Sequence, residues 1–348
     1  MKNRLIPLFL MNAILISSCT SSKKDVAIFI YNQEDTFISS LGDSMKEVLE
    51  RKGFSYSLDF ASNSQIQQNE SLIDVIDNGK AKMLFVNPVD RMSAGAIIDK
   101  ISNKEIPVVF FNRQPLDVDI QRGRVNNNRI FYVGTNSEWE GQSQAEMIAN
   151  LFGNPDSLNS EYDKNGDGKI QIVLLKGEIG HQDSENRSKG LLEGLKAKGY
   201  QTDILSSSYC NWSRAESRVR MKEIMDNYGA GIEVVAAAND DMALGAIDYL
   251  ILDRKENKES SGLPFPFFGV DGTLVGLKYI EKGYLTGTVM NEASSQAEAC
   301  VRIMEDLLTY GKISDDFPYP MENGYTVYVK GKTIMKTNDD TIKSSAQN

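Results

Sequence analysis

Residues 163–171 read DKNGDGKIQ, a run whose side chains can chelate a hard cation. Asp163, Asn165, Asp167 and Gln171 put oxygen donors at loop positions 1, 3, 5 and 9, and Lys169 serves position 7 through its backbone carbonyl. Gly168 stands at position 6, where a calcium loop turns sharply. Position 12 of a helix–loop–helix calcium site needs a bidentate Glu, and here it is Leu174. Residues 170–175 also form an apolar run that reads as a strand, not as an exiting helix. The spacing therefore predicts a calcium loop outside the helix–loop–helix class, completed by a carboxylate from elsewhere in the chain. The plain alternative is an Asx-rich surface turn.

A second set of residues is scattered in sequence but uniform in position. Asp35, Phe37, Asn112, His181, Asp183, Arg187, Trp212, Asn239, Asp271 and Asn291 each follow closely on a predicted strand. In open α/β sheets, ligands bind beyond the carboxyl ends of the strands. Carboxylates, amides and guanidinium offer directed acceptors and donors for hydroxyl groups, and aromatic rings offer a flat face for C–H surfaces. That mixture suits a sugar. Singly, each residue has an ordinary explanation: Asp183, Asp240 and Asp271 as helix N-caps, Asn112 and Asn291 as turn residues, Phe37 and Trp212 as core. Their recurrence at strand ends is what carries the functional reading.

The elements that must position these groups alternate. Strands are predicted at 26–31, 56–60, 83–87 and 107–112, with helical spacing at 37–51, 66–77 and 92–101. The series restarts after 131–134, which reads as a short connection or strand. Helices are predicted at 138–152, 184–198, 213–228, 241–252, 274–281 and 296–309, and strands at 170–175, 201–206, 233–238, 267–271 and 287–290. Repeated strand–helix alternation calls for parallel sheets covered on both faces, and two series imply two lobes.

The 348 residues suffice for two domains, and the 41% hydrophobic and 25% charged content fits a globular protein. A net charge of −10 repels nucleic-acid phosphates, and no basic cluster exceeds Lys23-Lys24. The N-terminus reads as a targeting segment: Lys2 and Arg4, then a short apolar run over 5–16. Ile16-Ser17-Ser18-Cys19 resembles a bacterial lipoprotein box, which implies cleavage after residue 18, lipid on Cys19 and a polar tether over 19–25. Cys210 and Cys300 could pair outside the cytoplasm, but free buried thiols are the favoured reading. No Cys-x-x-Cys exists and His181 is the single histidine, so a cysteine metal site is not expected.

At the strand-end residues the chain resembles the periplasmic galactose/glucose-binding proteins of sugar ABC transporters. The matching segments are Asp35-Thr36-Phe37, Val109-Phe110-Phe111-Asn112, Gly177 to Asp183 with Arg187, Trp212, Asn239-Asp240-Asp241-Met242, Gly269-Val270-Asp271 and Thr288-Val289-Met290-Asn291. The resemblance covers roughly residues 26–330. It implies that Phe37 and Trp212 sandwich a hexose, with Asp35, Asn112, His181, Asp183, Arg187, Asn239, Asp271 and Asn291 on its hydroxyls. It also implies that Glu233 is the remote calcium ligand. Thr36 and Glu292 depart from the family pattern.

The implied fold is α/β: two Rossmann-like lobes joined by a three-strand hinge, the periplasmic binding protein type I arrangement. The lobes would be 25–134 plus 292–324, and 135–291 plus 325–348, with crossings near 134–135, 291–292 and 324–326. The implied protein is a monomeric, lipid-anchored binder that captures glucose or galactose, carries structural calcium, and docks on a membrane ABC permease and a chemoreceptor. Three alternatives compete: a glycoside hydrolase using Asp183 and Asp271, a binder for ribose or another furanose, and a cytoplasmic repressor. The last needs a DNA-binding segment before residue 26, where this chain carries its apolar leader.

Overall fold

The structure, a computed structural model, describes residues 23–256, 262–336 and 342–346. The segment expected to be a leader (1–18), the expected lipidation site Cys19 and the first part of the expected tether lie outside these residues, as do parts of the 253–259 charge cluster and of the C-terminal tail.

The first half of the chain runs β1 (Lys24–Ile30), α1 (Thr36–Lys52), β2 (Tyr56–Phe60), α2 (Gln65–Asp77), β3 (Ala81–Val86), α3 (Ala94–Asn103), β4 (Val108–Phe111), α4 (Asp117–Arg124) and β5 (Ile130–Gly134). The second half runs α5 (Ser137–Phe152), β6 (Gly153–Asn154), β7 (Ser157–Leu158), β8 (Ile170–Lys176), α6 (Gln182–Ala197), β9 (Thr202–Tyr209), α7 (Arg214–Tyr228), β10 (Val234–Ala237), α8 (Asp240–Glu256), β11 (Phe267–Asp271), α9 (Leu274–Glu281) and β12 (Gly287–Met290). Then come α10 (Ala293–Tyr310), β13 (Thr326–Tyr328), β14 (Lys332–Lys336) and β15 (Ile342–Ala346).

Two large sheets result. The first has the order β2-β1-β3-β4-β5-β13 and is parallel throughout. The second has the order β9-β8-β10-β11-β12-β14-β15. Its first five strands are parallel, while β14 and β15 add an antiparallel edge. Central strands such as β4 (VVFF) and β10 (VVAA) are buried on both faces, which is why they read as unbroken apolar runs. Polar side chains start the helices where a free oxygen can take an unsatisfied N–H: Asp35 for α1, Ser64 for α2, Asn136 for α5 and Ser213 for α7.

The chain passes between the sheets after β5, after β12 and again after β13. Helix α10, although it follows the second sheet, returns to the first: Ala297, Cys300, Val301 and Met304 share a core with Ile28, Phe85 and Phe110. The third crossing differs from the expectation of 324–326. Thr326–Tyr328 pairs in parallel with β5, so the chain leaves the first sheet only after Tyr328. Helix α4 and the edge strands β13–β15 had no periodic signal. Among α4's eight residues only Asp119, Ile120 and Gly123 are buried, too few to mark an apolar stripe. Cys210 and Cys300 are free and buried, as the favoured reading held.

Candidate functional site

Between the sheets' carboxyl ends lies a cleft of about 320 Å³, counting its part open to solvent. Asp35, Phe37, Asn112, His181, Asp183, Arg187, Trp212, Asn239 and Asp271 all line it. Residues more than two hundred positions apart thus converge on one space. Asn291 does not line it. It sits behind Asp271, donating Nδ2 to Asp271 Oδ1 (3.2 Å), and its own Oδ1 is buried without a partner. Tyr31, Ile38 and Arg113 also line the cleft and were not anticipated. Tyr31 follows β1 and Arg113 follows Asn112, so the strand-end rule reaches both when applied one residue more widely.

The first sheet supplies one wall. Asp35 Oδ1 accepts Ile38 N (2.9 Å) to start α1, while its Oδ2 accepts the Tyr31 hydroxyl (2.6 Å). Arg113 stacks its guanidinium 3.7 Å from the Tyr31 ring centroid. Asn87 Nδ2 donates to Asn112 Oδ1 (3.2 Å), leaving the Asn112 N–H groups for a ligand.

The second sheet supplies the facing wall. His181 caps α6, its Nδ1 accepting Asp183 N (3.1 Å), so the ring proton sits on Nε2. Burial, with Arg113 and Arg187 adding to it, pushes the His181 pKa well down, and the ring is a neutral donor. Asn239 spends Oδ1 on Met242 N (2.9 Å) and donates Nδ2 to Trp212 O (3.3 Å). The Trp212 ring meets His181 edge to face at 4.9 Å, and its buried Nε1 has no partner. Gly177 makes room for that ring: a Cβ there would lie 2.2 Å from Trp212 Cζ2.

Backbone strain gathers at the same place. Asn112 (φ 58°), Trp212 (φ 61°) and Asp271 (φ 114°) all occupy positive φ without being glycine. Such conformations persist where the surroundings over-determine them, and they cluster at ligand sites.

The electrostatics are those of buried acids sharing few cations. Burial raises Asp183 to about 6, with Glu140 adding to the rise and Arg187 opposing it. Burial likewise lifts Asp271 well above the usual carboxylate range, against the pull of Arg187. Burial alone would lower Arg187, but Glu140, Asp183 and Asp271 together hold it above its ordinary value. Asp183 and Asp271 each sit among acceptor and donor groups suited to hydroxyl recognition.

Hydrogen bonds tie the walls together across the cleft. Thr36 Oγ1 donates to Asp241 Oδ2 (2.6 Å), Arg113 Nη2 to Glu178 Oε1 (2.8 Å), and Gln182 Nε2 to Gln114 Oε1 (3.1 Å). The lobes are therefore drawn together in this structure.

The sequence profile of the periplasmic binding protein domain matches residues 26–313. The chain belongs to the periplasmic binding protein family. It is 35% identical over 300 residues to the D-galactose/methyl-galactoside binding periplasmic protein of Haemophilus influenzae, covering 85% of this chain and 86% of that one. It is 25% identical to a xylitol-binding protein of Mycolicibacterium smegmatis, over 88% of this chain and 78% of that one. A periplasmic solute-binding protein of Actinobacillus succinogenes 130z, solved with D-allose bound, shares the fold at a TM-score of 0.71 and 19% identity, covering 90% of this chain and 98% of that one. The fold is thus the periplasmic binding protein type I fold, and this periplasmic binding protein is a transport component, not an enzyme. No helix among the described residues is long and apolar enough to cross a membrane.

The 163–171 loop stands apart from the cleft. Asp163 accepts Gly166 N (2.9 Å) and Gly168 N (3.2 Å), and Gly166 and Gly168 both take positive φ to close the turn. Glu233 reaches it from just before β10: Oε1 accepts Lys164 N (2.7 Å) and Oε2 accepts Gln171 N (3.2 Å). Asn165 and Asp167 accept the N–H groups of Asp167 and Lys169. Among the described residues no three His, Cys, Asp or Glu side chains are arranged to hold a metal. The fit to calcium rests instead on a mixed oxygen set of carboxylates, amides and the Lys169 carbonyl. Gln171 Oε1 is the orphan in that set, buried without a hydrogen-bond partner.

Proposed function

We propose that this periplasmic binding protein captures D-glucose or D-galactose between its lobes and delivers it to a membrane ABC permease. The observation that carries the reading is the meeting of Phe37 and Trp212 in one cleft with Asp35, Asn112, Asp183, Arg187 and Asp271. Aromatic faces take the C–H surfaces of a pyranose, and the ring of polar tips takes its hydroxyls. The galactoside-binding relative, at 35% identity, supports a hexose over a smaller sugar.

The mechanism follows from the two walls. Hydrogen bonds from both lobes to one sugar favour the closed arrangement, a population shift set by the extra affinity of the closed state. The closed form presents both lobes to the permease and, in this reading, to a chemoreceptor. Lipid on Cys19 would hold the monomer at the membrane. Asp163, Asn165, Asp167, Gln171, Glu233 and the Lys169 carbonyl would hold calcium, which supplies a fixed positive charge to a loop rich in carboxylates and amides. The ion would stabilise the second lobe without touching the sugar.

Native mass spectrometry of freshly purified protein tests this directly. Expected are a retained hexose, one calcium and, in the cell-derived protein, diacylglyceryl mass on Cys19. Isothermal titration with glucose, galactose, ribose, xylitol and allose then ranks the ligands. Failure to bind either hexose, with tight binding of a pentose, overturns the reading.

A further inference from the structure

We propose that Glu140, on α5, is the positioning residue that aims the cleft's Arg187 at the ligand. The proposal rests on the sugar reading of the cleft and deepens it. Arg187 Nε donates to Glu140 Oε2 (2.5 Å), and Nη1 donates to Ala238 O (2.6 Å). Two of the three guanidinium nitrogens are thereby pinned by protein. The remaining N–H groups of this planar donor have no other hydrogen-bond partner among the described residues, and Arg187 lines the cleft.

The pair is built into the fold rather than laid on its surface. Side-chain exposure is 5% for Arg187 and 0% for Glu140. Helices α5 and α6 approach almost backbone to backbone: a Cβ on Gly141 would lie 2.1 Å from Arg187 O, and one on Gly190 would lie 2.2 Å from Glu138 O. Only that close crossing lets the short reach of Glu140 meet Arg187 from the neighbouring helix. Ser137, Glu140 and Gln144, spaced at i, i+3 and i+7, form a buried polar stripe on α5. Ser137 hydrogen-bonds Asp183, and Gln144 Nε2 donates to Ala237 O (2.8 Å) and Gly269 O (3.2 Å). Helix α5 itself presents neither Glu140 nor Gln144 to the cleft, yet it braces residues that line it.

A desolvated ion pair is a weak source of stability compared with an apolar pair of similar volume. Its value here is geometric: it removes the rotational freedom of a long side chain before a ligand arrives. Glu140 also places a like charge near Asp183 and Asp271, which Arg187 opposes; Arg113 acts with Arg187 on Asp183, and Asp240 and Asp35 act with Glu140 on Asp271.

The test is titration calorimetry of the full mature chain with D-glucose and D-galactose from pH 5 to pH 8, using Glu140→Ala, Glu140→Gln and Arg187→Ala. Glu140→Ala should weaken binding by about 10- to 100-fold, the loss expected for one charge-assisted hydrogen bond. Glu140→Gln keeps an acceptor oxygen and should recover most of the affinity near pH 7.5. It should also move the acid limb of the binding profile to lower pH, because a negative neighbour of Asp183 is gone. A merely structural Glu140 would lower the melting temperature and leave the hexose affinity of the folded Glu140→Ala variant unchanged, so that Glu140→Gln would have no affinity to recover. Should Glu140→Ala not fold, the Glu140→Gln profile decides alone. Unchanged affinity in folded Glu140→Ala, or a Glu140→Gln profile that superimposes on the parent, overturns the proposal. If the parent binds hexose and Arg187→Ala does not, the cleft reading stands, and a failure of the Glu140 variants to alter binding then counts against Glu140 alone; if the parent binds neither hexose, the sugar reading falls and takes the proposal with it.

Discussion

Gly177→Ala adds one methyl group outside the hydrogen-bonding set and tests the aromatic plate of the cleft. The new Cβ would meet Trp212 Cζ2 at 2.2 Å and both Cε2 and Cη2 at 2.3 Å. Carbon atoms pack comfortably at about 3.5 Å, so the ring must retreat by about 1.3 Å. It has little freedom to do so gracefully. Trp212 sits at φ 61°, its carbonyl accepts Asn239 Nδ2, and its ring is wedged edge to face against His181. If the ring tilts into the cleft, the hexose loses its plate and part of its space, and the dissociation constant should rise about 10- to 100-fold, or about 1.4–2.8 kcal/mol. If the ring holds its place, overpacking should destabilise the lobe by about 1–3 kcal/mol instead. Titration calorimetry with glucose and a melting curve on the same sample separate the two routes. A variant with parental affinity and parental melting temperature would refute the assignment of Trp212 as a packed plate over Gly177.

Asp183 makes the cleft sensitive to acid. With its carboxyl raised to about 6, hydroxyl recognition by the ionised form should weaken about tenfold between pH 7 and pH 5, measurable by calorimetry. Stability should run the other way. The folded state holds this proton more tightly than the unfolded chain, whose carboxyl lies near 3.8, so the group's contribution to ligand-free stability is present below that value and lost as pH rises through about 6. Melting curves of the sugar-free parent and Asp183→Asn should show that difference. Chelation, or Asp163→Ala, should lower the melting temperature, by up to about 4 kcal/mol of stability at calcium a thousandfold above its dissociation constant, while leaving hexose affinity unchanged. A sugar affinity that collapses on chelation would place calcium in the binding mechanism and refute the separation. Glu178→Gln loosens the cross-cleft bond from Arg113 and should enlarge the ligand-free protein in small-angle scattering, with binding weakened about 5- to 30-fold. Unchanged scattering would mean that this pair does not hold the lobes together.

Much of the molecule is local in origin and so was readable along the chain. The alternating apolar runs and helical spacings produced the two βα series because the central strands bury both faces and the helices bury a stripe. The loop at 163–171 announced its turn through Gly168 and its oxygen spacing. Nine of the ten predicted cleft residues line one space, because the carboxyl ends of parallel strands point to a common crevice whatever the lengths between them. Asn291 obeyed the same strand-end rule, yet packing left it one step back, bonded to Asp271.

What the linear chain could not disclose depends on distance between elements. Glu140 reads in sequence as one more charge on a helix. Only the near-contact of α5 and α6 at Gly141 and Gly190 sets it against Arg187. Arg113 and Glu178 meet solely because two lobes face each other, and the third crossing falls after Tyr328 because Thr326–Tyr328 finds an open edge beside β5. Periodicity and turn chemistry act over a few residues, and they determined the elements and the candidates. Pairings across tens to hundreds of residues depend on how those elements pack, and the tertiary structure alone decided them.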